Sequence, residues 1–283
     1  MSEELSFRRP LEGLTAVVTG GSRGLGAVIA QAFAAAGTRV GILARDAARG
    51  EKVAEGINAA GGAALYVRAD VSIDEEIVAA LRTVHGAWGG IHLLVNNAGL
   101  TPSSVGGAGG SAADIGLDLW RRYLDTNLTG PLLVSRHALP YMRAAGYGSI
   151  VNINSLSAEY PPPGDVGYSV SKGALTTLTR SMAVDFGPSV RVNQILAGFI
   201  PNTDNPRHQA KLADPAMRKV MVESTLVGRV GVAADIADAC VFLCSRQTGF
   251  ITGQSLTIDG GAHTVARSMS GVTKLYDRLP ESR

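Results

Sequence analysis

Several protein classes are excluded by what this chain lacks. Two cysteines in 283 residues are too few for a disulfide framework. Cys240 and Cys244 stand four apart in "ADACVFLCSR", on an apolar helical pattern without partner ligands, so both read as core residues. The five histidines form no HxxxH or similar cluster, and no metal site is expected. Neither sign of charge is in excess: 26 basic against 24 acidic residues leave +2. With no dense basic run, nucleic acid is not an expected partner. No segment reaches the roughly 18 uninterrupted apolar residues of a membrane span. The start, "MSEELSFRRPLEG", is charged and has no apolar h-region, so a cytoplasmic protein is expected, without membrane attachment. Internal repeats and long low-complexity tracts are also missing.

The bulk of the chain is ordinary globular sequence, 46% hydrophobic and 18% charged. From Leu14 onward, short aliphatic runs alternate with longer alanine-rich helical patterns. The expected strands are "LTAVVT", "RVGILA", "ALYVRA", "IHLLVN", "SIVNIN", "RVNQIL" and "SLTID", with helices beginning near Gly24, Ala47, Asp74, Asp118, Tyr168 and Ala233. Apolar runs suited to burial on both faces, alternating with helices, predict an α/β fold: a Rossmann-like, doubly wound parallel sheet in three αβα layers, in one domain.

Three stretches break the rhythm. Residues 101–116, "TPSSVGGAGGSAADIG", are glycine-rich and read as a flexible surface excursion. Residues 201–228 are a polar and amphipathic insertion, and 262–283 form a charged tail of weak periodicity. The expected division is an arm at 1–10, a nucleotide-binding catalytic domain at 11–261, and the tail.

"VVTGGSRGLGAVIAQAF" puts Thr19, Gly20, Gly24 and Gly26 between the first strand and its helix. Glycines there let the backbone turn sharply and approach a ligand, and the free amides at the helix start favour phosphate. The spacing is not GxGxxG and no GK[ST] follows, which argues against a P-loop enzyme. Asp70 ends the third strand, and Asn96, Asn97, Ala98 and Gly99 end the fourth. Ligands of open α/β sheets bind beyond the carboxyl ends of the strands, so these motifs converge on one crevice.

"TGGSRGLG", "NNAG", Asn127 in "DTNLTG", Ser155 in "INSLSA" and the YxxxK of "YSVSK" resemble, in order, the motifs of the short-chain dehydrogenase/reductases. The resemblance extends from about Leu11 through "ITGQSLTIDGG". It implies an oxidoreductase that moves hydride between a nicotinamide and a ketone or secondary alcohol. The implied coenzyme contacts are Thr19, Gly20, Ser22, Arg23, Gly24, Leu25, Gly26, Arg45, Asp70, Val71, Asn97, Ala98, Gly99, Tyr168, Lys172, Gly198, Ile200 and Thr203. Where the family usually shows Pro-Gly after the sixth strand, this chain has Ala197 before Gly198, and Thr203 stands one place later than usual.

The second strand should end near Ala44, where NAD-using relatives carry an acid for the ribose 2′-hydroxyl. Arg45 and Arg23 suit a 2′-phosphate instead, so NADP(H) is expected. NAD(H) is the alternative, with Asp46 taking the acid's place if the strand runs longer.

Tyr168 and Lys172 lie four apart, on one helical face. Hydride transfer to a carbonyl needs a proton donor, and the reverse reaction needs a base. An ammonium about 4 Å from the phenol supplies roughly 4 kcal/mol at an effective dielectric near 20. That is enough to bring a tyrosine from its usual value of about 10 to near neutral pH. The resemblance gives Ser155 the orienting of the substrate, Lys172 a hold on the nicotinamide ribose, and Asn127 a water in a proton relay. Ser157 competes with Ser155, and Asn154 is a further candidate for the pocket. Asn127 reads equally well as a polar residue satisfying a helix kink.

The insertion near 201–228 stands where the family keeps its substrate lid. Met217, Val220, Met221 and Leu226 offer an apolar lining, and Arg207, Lys211, Arg218 and Lys219 an attraction for anions; a solvated amphipathic helix is the plainer reading. The substrate is a small carbonyl or alcohol: a 3-oxoacyl thioester, a polyol or sugar, or a cyclic ketone. Relatives are commonly homotetramers, so a homo-oligomer is expected. The rival is a nucleotide-binding protein without turnover on the same fold, and a methyltransferase is disfavoured by the YxxxK match.

Overall fold

The computed structural model describes residues 10–106, 110–202 and 204–264. Its seven strands are β1 (Thr15–Thr19), β2 (Arg39–Ala44), β3 (Ala63–Arg68), β4 (Leu93–Asn96), β5 (Gly148–Ser155), β6 (Val190–Ala197) and β7 (Ser255–Ile258). They form one sheet in the order β3-β2-β1-β4-β5-β6-β7, with every pairing parallel. The order reverses between β1 and β4, the switch point that opens a crevice at the strand ends. The helices are α1 (Gly24–Ala35), α2 (Ala47–Ala59), α3 (Asp74–Trp88), α4 (Leu117–Leu124), α5 (Gly130–Ala144), α6 (Val166–Phe186), α7 (Pro206–Ala213), α8 (Pro215–Glu223) and α9 (Ala233–Cys244).

The two faces of β1 show why its run is continuously apolar. Ala16 and Val18 pack into one core with Ile29 and Phe33 of α1 and Ile236, Cys240 and Cys244 of α9. Val17 packs into the other with Leu81 and Val84 of α3, Val134 and Met142 of α5, and Met182 of α6. Both cysteines are free and buried, and burial pushes their thiols up, Cys244 to about 12.

Local signals set the helix ends that frame the crevice. Asp46 caps α2 by accepting from the Arg49 amide, and Asp74, Glu75 and Glu76 fill the first turn of α3, complementing its positive end. α6 begins at Val166, two residues before the expected Tyr168, so the tyrosine sits in its first turn. Residues 201–228 contain two helices where the sequence reading had an undivided insertion. Asn205 and Asp214 each accept amide bonds at a helix start, and Pro206 and Pro215 follow them. α4 and α5 are joined through a π-helical turn at Asp125–Thr129 that carries Asn127. Thr203, the expected arm through residue 9 and the expected tail beyond 264 lie outside the described residues.

Candidate active site

The glycine turn is built on contacts that leave no room for a side chain. Gly20 has φ +65°, and a Cβ there would stand 2.8 Å from Ala98 Cα. At Gly26 a Cβ would strike the Gly20 carbonyl and the Asn97 amide. Thr19 and Asn97 hold this junction together. The Thr19 hydroxyl accepts from the Asn97 and Ala98 amides at 3.0 and 3.1 Å, and Asn97 Nδ2 donates to the Thr19 and Gly20 carbonyls at 2.9 and 3.2 Å. The side-chain donors of both residues are engaged in joining β1 to β4, so they shape the crevice. Gly24, at φ +53°, opens α1, whose cap residue Arg23 makes no side-chain capping bond. A helix start beside packed glycines is a cradle that a dinucleotide phosphate would fit, and here the Gly24 amide donates to Asp204.

Asp70 and Arg45 stand side by side at the ends of β3 and β2. Burial works to raise the Asp70 carboxyl, but bonds from the Ser72 amide and hydroxyl, with Arg45 at 3.4 Å, outweigh it and hold the group below its usual range. β2 ends at Ala44 as expected, and Asp46 is committed to capping α2. Val71 follows Asp70 and is buried, its side chain packed against Gly130. Gly198 lies so close to β7 that a Cβ would come 2.5 Å from Asp259 Cβ, and Ile200 packs against Gly231. Ser22 is buried, and Leu25 packs on the core beneath the turn.

Ser155, Tyr168, Lys172 and Asn127 are brought together at the carboxyl ends of β4 and β5. Ser155 ends β5, where its hydroxyl accepts from the Ser157 amide at 3.1 Å and donates to the Ser157 hydroxyl at 3.3 Å, near enough to the Tyr168 phenol to act on its ionisation. Lys172 is only 6% exposed, and its ammonium donates to the Ile153 carbonyl at 2.8 Å. Asn127 accepts from the Leu100 amide at 2.7 Å and donates to the Leu100 carbonyl and the Ser171 hydroxyl, both at 3.0 Å. Gly99 faces this group: a Cβ there would be 3.4 Å from Asn127 Oδ1 and 4.0 Å from Lys172 Nζ.

The electrostatics depart from the expected direction. Lys172 Nζ lies 5.9 Å from the Tyr168 ring centroid and is turned to the Ile153 carbonyl. Burial raises the Tyr168 phenol above its ordinary 10, a bond from Ser155 acts against this, and Asp165 adds to it. Burial also pulls Lys172 from 10.5 down to about 8. The lysine therefore does not bring the tyrosine toward neutrality in this arrangement, because burial penalises both charged forms.

A polar spine beneath the site was not anticipated. Asn96 Nδ2 donates to Asn152 and Ser135, and Asn152 Nδ2 to Thr179. Asn154 Nδ2 donates to Gln194, to Thr176 and to the backbone carbonyl of Lys172. Asn154 is thus not a pocket residue; it anchors the lysine from behind. The signal was present as Asn152 and Asn154 at alternate positions of an otherwise apolar strand, joined by Gln194 in its neighbour. Among the described residues, no three His, Cys, Asp or Glu side chains are grouped to hold a metal, and no helix is long and apolar enough to cross a membrane.

A family model described as enoyl-(acyl carrier protein) reductase matches residues 20–263. An uncharacterized oxidoreductase of Thermotoga maritima is 37% identical over 253 residues, covering 89% of this chain and 96% of that protein. Two solved structures superpose closely. One is a gluconate 5-dehydrogenase from Burkholderia cenocepacia in complex with NADP and tartrate, with TM-score 0.82, 30% identity, and coverage of 92% of this chain and 99% of that one. The other is a 7α-hydroxysteroid dehydrogenase complexed with NADH and 7-oxo glycochenodeoxycholic acid, with TM-score 0.81, 32% identity, and coverage of 90% and 96%.

Proposed function

The chain belongs to the short-chain dehydrogenase/reductase family, and from that membership we propose an NADP(H)-dependent carbonyl reductase or alcohol dehydrogenase with Tyr168 as its acid and base. The observation that carries this reading is the convergence of Ser155, Tyr168 and Lys172 beside Gly99 and Asn127. When bound, the coenzyme supplies or accepts the hydride. Ser155 donates to the substrate oxygen as charge develops there, and Tyr168 passes it a proton. At neutral pH the buried phenol keeps its proton, the form that ketone reduction requires. Lys172, held by Ile153 and by Asn154 through its own carbonyl, keeps a cation 5.9 Å from the Tyr168 ring and would hold the coenzyme ribose.

For the coenzyme, support comes from Ala44 at the end of β2 and from Asp46, whose carboxylate is used at the start of α2. Arg45 and Arg23 then remain for a 2′-phosphate. The Arg45–Asp70 pair favours the second reading, NAD(H), since an arginine already paired is less available. Exposed ion pairs contribute about 0–1 kcal/mol, so a phosphate outcompetes this one, and NADP(H) is preferred. The residues of the lid near 201–228 set the substrate: a ketone or secondary alcohol carried by a thioester, a polyol or a ring. A homotetramer is the assembly we infer, through exposed apolar residues such as Phe242 of α9 and Leu256 of β7.

The test is a ketone panel followed by coenzyme absorbance, with NADPH and NADH compared by kcat/KM. NADPH should win, and a clear preference for NADH overturns the coenzyme assignment. In Tyr168→Phe, kcat should fall by at least about a hundredfold while NADPH binding is retained. Near-full activity in that variant removes the tyrosine from the chemistry. Binding of NADPH without turnover on any ketone favours the non-catalytic alternative.

A further inference from the structure

The start of α1 is occupied by a group from the far end of the chain. The Gly24 amide donates to Asp204 Oδ2 at 3.1 Å, across 180 residues of sequence. Arg23 offers no side-chain cap and the first turn of α1 has no acid, so Asp204 is the anion found there among the described residues. Asp204 and Asn202 make further contacts. The Asp204 amide donates to Asn202 Oδ1 at 2.9 Å, and the Asn202 amide donates to His208 Nδ1 at 2.9 Å. His208 stands edge-on to Phe199, with ring centroids 5.4 Å apart. Asn205 caps α7 one residue further on. Asn202 itself covers Gly24, its side-chain atoms 3.1 to 3.2 Å from where a Cβ would be. Asp204 and Asn202 thus touch the phosphate turn, while Asn205 and His208 belong to the start of α7.

We propose that Asp204 is an internal latch: in the free protein its carboxylate sits in the seat of a coenzyme phosphate, and coenzyme binds by displacing it and releasing the lid. This inference rests on the dinucleotide reading of the site given above. One amide hydrogen cannot serve two anions, and a carboxylate beside a diphosphate is repelled as well as crowded. A neighbouring cavity of about 480 Å³, lined by Arg23, Asp204 and Arg207 among others, gives the displaced carboxylate room and two guanidinium partners. The lid is thereby coupled to occupancy: closed on the turn when the seat is empty, and free to rearrange over substrate once coenzyme has taken the amide. The apparent affinity for coenzyme is reduced by the fraction of molecules with the latch closed.

The experiment titrates wild type, Asp204→Asn and Asp204→Ala with NADPH and with NADH by protein fluorescence, alongside amide hydrogen exchange without coenzyme. Kd should fall about tenfold in Asp204→Ala, the change expected when roughly nine in ten free molecules are latched. Exchange of the Gly24 amide and of residues 205–213 should accelerate in the coenzyme-free variant. That second readout separates a latch from simple removal of a negative charge, which tightens binding but leaves exchange as it was. Unchanged exchange overturns the latch, as does unchanged or weaker binding. If wild-type protein binds neither NADPH nor NADH, the site assignment fails and the latch with it, whereas equal, tight binding by all three proteins refutes the latch alone.

Discussion

Lys172 is held in place at a cost to the fold, because burial penalises its charged form. Its ammonium is held at about 8 by burial, whereas in the unfolded chain it returns to about 10.5. Between those values the unfolded chain binds a proton that the folded one does not, so wild-type stability gains as pH rises through that window. Below pH 8 the full penalty applies, about 3 kcal/mol. Losing the bond to the Ile153 carbonyl costs about 1 kcal/mol, which is smaller. Lys172→Met should therefore be more stable than wild type at pH 7 though inactive, and its advantage should shrink between pH 8 and 10.5. Thermal melts of both proteins across that range check the sign, and a margin that widens with pH contradicts it. The grouping of Ser155, Tyr168 and Lys172 was legible because YxxxK and its serine are local patterns. The direction of the Tyr168 shift was not, because spacing along a helix places two side chains on one face without saying which carbonyl the amine will choose.

At the scale of elements, α6 is positioned by the helix preceding the π turn. Tyr123 of α4 is fully buried and meets the Tyr168 ring edge-on at 6.3 Å. It approaches so closely that a Cβ on Gly167 would lie 2.6 Å from its ring and 2.8 Å from Ile115. Gly167→Ala should push the first turn of α6 away, lowering stability by about 1–3 kcal/mol and kcat with it. Denaturant unfolding and steady-state kinetics measure the two effects, and a variant that keeps both shows that the turn yields freely. Strands and most helices were readable from their alternation. The π turn was not, since one extra residue in a helix leaves no periodic trace over so short a span. α7 and α8 announced themselves as Asn205-Pro206 and Asp214-Pro215, but weak apolar periodicity hid them within a single insertion.

For the whole molecule, the sheet order and the two cores follow from runs buried on both faces, and the alternation of these runs with helical patterns had indicated a single α/β unit. Assembly is a surface property, which a hydrophobic pattern read for its core does not reveal. Phe242 is 49% exposed on α9, Leu256 is 37% exposed on β7, and Phe250 is fully exposed. If these residues meet a second copy, Phe242→Asp should shift the mass found by light scattering toward the monomer without altering the far-ultraviolet spectrum. A mass identical to wild type would place the contact elsewhere.

The amide ladder running from Asn96 through Asn152 and Thr179, and from Gln194 through Asn154 to the backbone of Lys172, makes few demands on residues 201–228. The group we propose for proton movement and the segment we propose as a lid therefore rest on separate contacts. On that proposal, the second can be rewritten for a new metabolite while the first is left untouched.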